Sequence, residues 1–252
     1  MTLLEALFVL VAGVGAGAIN TLVGSGSLIT FPVLLAVGLP PLTANVSNNL
    51  GIVPGSVSGA YGLRRELAGQ RRRVARFAPA SLLGGLSGAI LLLALPASAF
   101  DAIVPAFVAL AIVLVVLQPR LNRRLQRRRH PDAPDHGGLL TLLATYGSGV
   151  YGGYFGAAQG ILLLAILGIS IDDELQRVNA LKVVLAGAVN FVAAIVFVLA
   201  AHIAWDAVAL VAVGSTLGGH LGARVGRRLP PRALRAVIVV VGLAAIAKLL
   251  LD

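Results

Sequence analysis

The chain has 252 residues, of which 58% are hydrophobic and 12% charged, with a net charge of +10. A soluble domain is about half apolar and about a quarter charged, so this composition excludes an ordinary soluble fold. Cysteine is absent, which excludes a disulfide framework and thiol chemistry.

Ten hydrophobic runs follow one another: 3–20, 22–37, 44–63, 74–95, 102–117, 139–154, 159–169, 175–201, 207–223 and 233–251. A helical bilayer crossing needs about 20 residues. The second, sixth and seventh runs are short, and read as tilted spans, broken helices or re-entrant hairpins. The first run begins Met1-Thr2-Leu3-Leu4-Glu5, without the basic region of a signal peptide, and reads as a membrane segment. The expectation is an all-α, multi-pass membrane helix bundle.

Arginine gathers in three connectors, from Arg64 to Arg76, from Arg120 to Arg129 and from Arg224 to Arg235. Short basic loops stay in the cytoplasm, so the positive charge reads as topology and not as a nucleic-acid surface. The connectors 96–101 and 202–206 carry no Lys or Arg and belong outside. On that alternation the runs 74–95, 175–201 and 233–251 lead outward, and both termini lie outside.

A shift of 134 positions lays Gly13 on Gly147, Gly15 on Gly149, Gly26 on Gly160, Leu28 on Leu162 and Asn45 on Asn179. With five runs in each half, the second half enters the membrane from the opposite side. This gives a first repeat over 1–118, a basic cytoplasmic linker over 119–137 and a second repeat over 138–252. Inverted repeats with helices broken near the midplane are a transporter architecture.

Two glycine-rich stretches mark where such breaks fall. The first is Asn20-Thr21-Leu22-Val23-Gly24-Ser25-Gly26-Ser27, where free backbone N–H groups at the start of the next helix suit an anion. A tight hairpin turn at the surface is the other reading. The second stretch, from Tyr151 to Gly160, holds Gly156, Gln159 and Gly160. A polar set accompanies them: Asn45, Asn48 and Asn49 in the first half, Asn179, Lys182 and Asn190 in the second. Asn45 and Asn49 share a helix face, as do Asn179 and Lys182. An intramembrane lysine is costly and points to function, unless it snorkels to the cytoplasmic edge past Arg177 and Asp173. The asparagines serve a solute or simply bond between helices. Glycines at 51, 55 and 59, and at 214, 218, 222 and 226, form small-residue stripes for packing between halves or between two subunits of a homodimer.

Nucleotide-binding, serine-hydrolase and zinc-protease signatures are missing, so neither an enzyme nor a cofactor or metal site is expected. Asp132, Asp135 and His136 read as part of a solvated linker.

The run Gly24-Ser25-Gly26-Ser27-Leu28-Ile29-Thr30-Phe31-Pro32-Val33-Leu34, followed by Ala44-Asn45-Val46-Ser47-Asn48, resembles the sulfite exporter TauE/SafE family. The second half repeats it through 156–164 and 178–190, with Ile166 in the place of Pro32. The resemblance implies a bacterial inner-membrane permease for small anions, with sulfite, sulfonates and other organosulfur compounds as the substrate class. A secondary transporter working by alternating access is the leading expectation. An anion channel and a non-transporting membrane subunit are the alternatives.

Overall fold

The computed structural model describes residues 1–127, 137–225 and 231–251. They form ten helices: α1 (Leu3–Leu22), α2 (Ser27–Ala36), α3 (Pro41–Gly62), α4 (Arg71–Ala94), α5 (Ala97–Arg127), α6 (Leu139–Tyr154), α7 (Gln159–Ser170), α8 (Leu175–Ala200), α9 (Trp205–Val225) and α10 (Pro231–Leu251). Each expected run is a helix. Among the described residues α1, α4, α5 and α8 are long and apolar enough to cross a membrane. Their outer faces carry bare Leu7, Phe8, Ile90, Val113, Val116, Phe191, Val198 and Leu199, apolar surface that only lipid or another apolar partner covers.

Local chemistry sets the ends. Thr2 and Glu5 form a capping box at the start of α1, each side chain accepting from the other's backbone N–H. Pro41 opens α3 where no N–H is needed. α5 carries on through Pro119 to Arg127, so the first part of the expected linker 119–137 is helical. Asp132, Asp135 and His136, with Arg128, Arg129, Arg227 and Arg228, lie outside the described residues.

The helix pairings come in mates. α1 packs on α9 as α6 packs on α4, and α3 packs on α9 as α8 packs on α4. α1 meets α2 as α6 meets α7, and α2 meets α10 as α7 meets α5. The pairs open at Pro41 and Leu175, at Arg71 and Trp205, and at Ala97 and Pro231, each 134 positions apart. The fourth helix of each half therefore packs chiefly on the other half. Glycine allows these crossings: a Cβ on Gly13 would lie 3.2 Å from the backbone of Val211 and Gly214, and one on Gly149 would lie 3.0 Å from Gly84 Cα. The glycine stripes are used within the chain, Gly51 against Val211, Gly55 against Ser215 and Gly218 against Val14.

One ion-pair cluster ties the halves where α4 and α8 begin. Asp173 accepts from Arg73 and, at 3.0 Å, from Arg177. The Gln70 amide donates to the Arg177 carbonyl at 2.9 Å. Burial pushes the Asp173 carboxyl up, but the bonds from Arg73, the Glu174 N–H and Arg177 outweigh it and hold it below the usual carboxylate range. A depressed carboxylate stabilises the fold above its unfolded pKa, and that stability is lost as pH falls through the folded value. Replacing Asp173 by Asn costs about 1 kcal/mol at neutral pH and flattens the acid limb of stability against pH. Thermal unfolding in detergent from pH 3 to pH 7, an interval spanning ordinary carboxylate titration, measures both; an unchanged acid limb would show that Asp173 does not set it.

Candidate functional site

The two breaks are narrower than the sequence suggests. Asn20 and Thr21 are helical, with Thr21 Oγ1 bonded back to the Gly17 carbonyl at 3.0 Å, and the first break is Val23–Gly26. The second spans Phe155–Ala158, so Gln159 and Gly160 open α7. Gly24 turns the chain at φ +87° and Gly156 at φ +79°, conformations that glycine takes freely. Ala158 adopts φ 61° with a side chain attached, a local strain.

The breaks touch each other. The Gly160 N–H donates to the Gly24 carbonyl at 3.1 Å. Around this contact each half caps the other's loosened helix end. Asn45 Nδ2 on α3 donates to the Tyr154 carbonyl at 3.0 Å. Asn179 Nδ2 on α8 donates to the Thr21 carbonyl at 3.1 Å, and Lys182 Nζ to the Asn20 carbonyl at 3.1 Å. Gln118 Nε2 on α5 reaches the Val23 carbonyl at 3.4 Å. The Asn20, Thr21 and Val23 carbonyls at the end of α1 are thus taken up by donors from elsewhere in the chain, as a low-dielectric setting favours.

The N–H side is different. Among the described residues the N–H groups of Ser25, Gly26 and Ser27 donate to no protein acceptor, and the buried Ser25 Oγ and Gln159 Nε2 have no partner. The Asn49 and Asn179 Oδ1 atoms are also unbonded acceptors. Lys182 is 0% exposed, so it does not snorkel, and it stands with no carboxylate ion pair among the described residues. Its stem lies 3.1 Å from where a Cβ on Gly160 would sit. At the first break, unsatisfied donors outnumber acceptors beside the buried Lys182 amine.

Three expected residues, Asn48, Asn49 and Asn190, lie to the side. Asn48 accepts from Thr30 Oγ1, which ties α3 to α2. Asn49 Nδ2 bonds Asn190 Oδ1 at 3.3 Å where α3 meets α8. Two features went unread in the sequence. Gln118 is a lone amide before Pro119, and only the fold brings it to the break. Phe155 lies in an aromatic cluster, 5.4 Å from Phe31 and 5.8 Å from Phe107 between ring centroids, which closes one side of the second break. Its sole trace in the sequence is an aromatic residue flanking Gly156.

This geometry, a buried polar contact between two interrupted helices in an apolar bundle, accords with comparison to known proteins. The family model for sulfite exporter TauE/SafE matches residues 9–249. The chain belongs to the sulfite exporter TauE/SafE family. It is 29% identical over 241 residues to the probable membrane transporter protein YfcA of Escherichia coli K12, covering 94% of this chain and 86% of that one. It is 28% identical to a probable membrane transporter protein of Haemophilus influenzae, over 95% of this chain and 92% of that one. A probable membrane transporter protein of a Sinorhizobium species, ORF9, is 28% identical over 97% of this chain and 92% of its own length. No solved structure matches significantly. As a TauE/SafE protein the chain is a membrane transporter, and the family is not an enzyme class.

Proposed function

We propose that this protein is a secondary transporter of small anions, of the sulfite, sulfonate or organosulfur class, working by alternating access in the bacterial inner membrane. Its halves, 1–118 and 138–252, act as oppositely oriented repeats that meet at the two breaks. The observation that carries the reading is the donor surplus at the first break: free N–H groups at Ser25, Gly26 and Ser27, the unbonded Ser25 hydroxyl, and the uncompensated Lys182 close by. A helix N-terminus beside a buried cation favours an anion over a cation or a neutral solute. The mated helix pairings support the inverted repeat, because each half supplies the helix that covers the other. Transport then requires the Gly160–Gly24 bond to open, since in this closed arrangement the α7 N–H is bound to a protein carbonyl.

The test is flux into proteoliposomes with sulfite, sulfoacetate, sulfate and acetate as separate probes. The expected result is saturable uptake of at least one sulfur oxyanion, accelerated by the same anion on the opposite side. Folded protein that moves none of them overturns the reading. Anion current with neither saturation nor counterflow would identify a channel instead.

A further inference from the structure

Hydroxyl groups inside an apolar bundle usually bond back to a carbonyl of their own helix. Thr21 and Ser56 do so here, to the carbonyls of Gly17 and Ile52. Ser81 on α4 and Thr145 and Ser148 on α6 do not. They are 0%, 0% and 5% exposed, and their oxygens have no hydrogen-bond partner. A buried polar group without a partner costs about 1–3 kcal/mol. Three at one helix crossing are a feature that packing alone does not explain.

Their positions form a line. Thr145, Ser148 and Gly152 recur at helical spacing on one face of α6. The Ser81 carbonyl lies 2.9 Å from the Cβ position of Gly149, so the Ser81 turn packs on this part of α6. At the far end Gly152 abuts the Gln159 amide, whose Nε2 is unbonded at the second break. At the near end Gly137 lies against Thr141 and Phe77, and its carbonyl accepts from the Arg76 guanidinium at 3.0 Å. The Arg76 guanidinium, three unbonded hydroxyls and an unbonded amide thus succeed one another from the start of α6 to the second break.

The other half lacks this line. A shift of 134 positions places Ser148 over Val14 and Thr145 over Val11, both apolar, and Ser81 over Ser215, whose hydroxyl is satisfied by the Gly51 carbonyl at 2.7 Å. The asymmetry is what a path opening to one side of the membrane requires.

We propose that Ser81, Thr145 and Ser148 line the passage through which a small oxyanion moves between the cytoplasm and the two breaks. The proposal rests on the transporter reading and on its cytoplasmic placement of the start of α6. The hydroxyls rotate to donate to a passing anion or its water, replacing the hydration it sheds.

The cysteine-free chain allows a direct test. Single variants S81C, T145C, S148C and V14C are exposed in inside-out vesicles to 2-sulfonatoethyl methanethiosulfonate, a membrane-impermeant sulfonate. The thiolate is the reacting form, so only thiols reached by water respond, and the three path positions should label about tenfold faster than V14C. The proposal is overturned if S148C and T145C, in protein that elutes as a single folded species, label no faster than V14C. Faster labelling from the opposite face overturns it equally. Should one cysteine variant misfold, the remaining path positions decide, together with S81A/T145V/S148A: the proposal expects this triple variant to slow sulfite flux about tenfold, whereas unchanged flux overturns it. Absence of sulfite flux in the unsubstituted chain bears on the transporter reading, while the labelling pattern still judges the path.

Discussion

Gly24→Ala is expected to cost about 2–5 kcal/mol and to abolish transport, by adding left-handed backbone strain to a steric clash. The backbone there sits at φ +87°, and an added Cβ would lie 2.5 Å from Gly160 Cα and 2.7 Å from its carbonyl carbon. Neither neighbour is a flexible side chain, so relief requires the breaks to part. Gly38 separates the two causes. It sits at φ +90° with nothing within 4 Å of its Cβ position, so Gly38→Ala carries the conformational cost alone, about 1–2 kcal/mol. Unfolding of both variants in detergent measures the difference, which is the cost of the clash that a methyl makes where the breaks meet. Equal losses would mean that Gly24 and Gly160 do not meet as described.

Lys182→Met is expected to leave the fold intact or slightly more stable while removing anion flux. An ammonium without a carboxylate partner costs about 2.5–3.5 kcal/mol at the middle of a bilayer helix, an upper figure for Lys182 in the first third of α8. Methionine of similar length removes that cost and leaves the Asn20 carbonyl without its donor, a loss of about 1–3 kcal/mol. The balance favours the variant by about 1 kcal/mol, within the range seen when buried charges give way to apolar side chains. Function moves the other way, because the variant has lost the buried cation beside the unsatisfied donors of the first break. Wild-type flux from a folded Lys182→Met protein would remove Lys182 from the site and leave the N–H groups of the first break as the sole attraction for an anion.

The helices were legible in the sequence because each end is punctuated locally. Pro40-Pro41 stops one run and opens the next, and the run 139–154 sits between Gly138 and Gly156. The sequence makes the first break look wider than it is because Asn20 and Thr21 are polar, yet their backbone stays helical and only their carbonyls are recruited. Asn45, Asn179 and Lys182 stood out as polar groups in apolar runs, and they do meet the opposite half's broken helix. Gln118, Phe155 and the Ser81–Thr145–Ser148 line did not stand out. A glutamine near a span end, a phenylalanine beside a glycine and hydroxyls among alanines are ordinary until tertiary packing decides what surrounds them. The contact of Gly24 with Gly160 is likewise invisible to a shift of 134 positions: α2 and α7 begin at Ser27 and Gln159, so the alignment slips by two residues at the breaks.

The exchange of fourth helices between halves has a consequence for how the protein is made. While the ribosome is still translating, α4 enters the bilayer before either α6 or α8 exists, and its Gly84, Gly85 and Gly88 surface waits without the partners that cover it. The N-terminal half therefore reaches its final packing only once the C-terminal half emerges. Two polypeptides severed between 128 and 136 and produced in the same cell are then obligate complements, each unfinished until the other arrives.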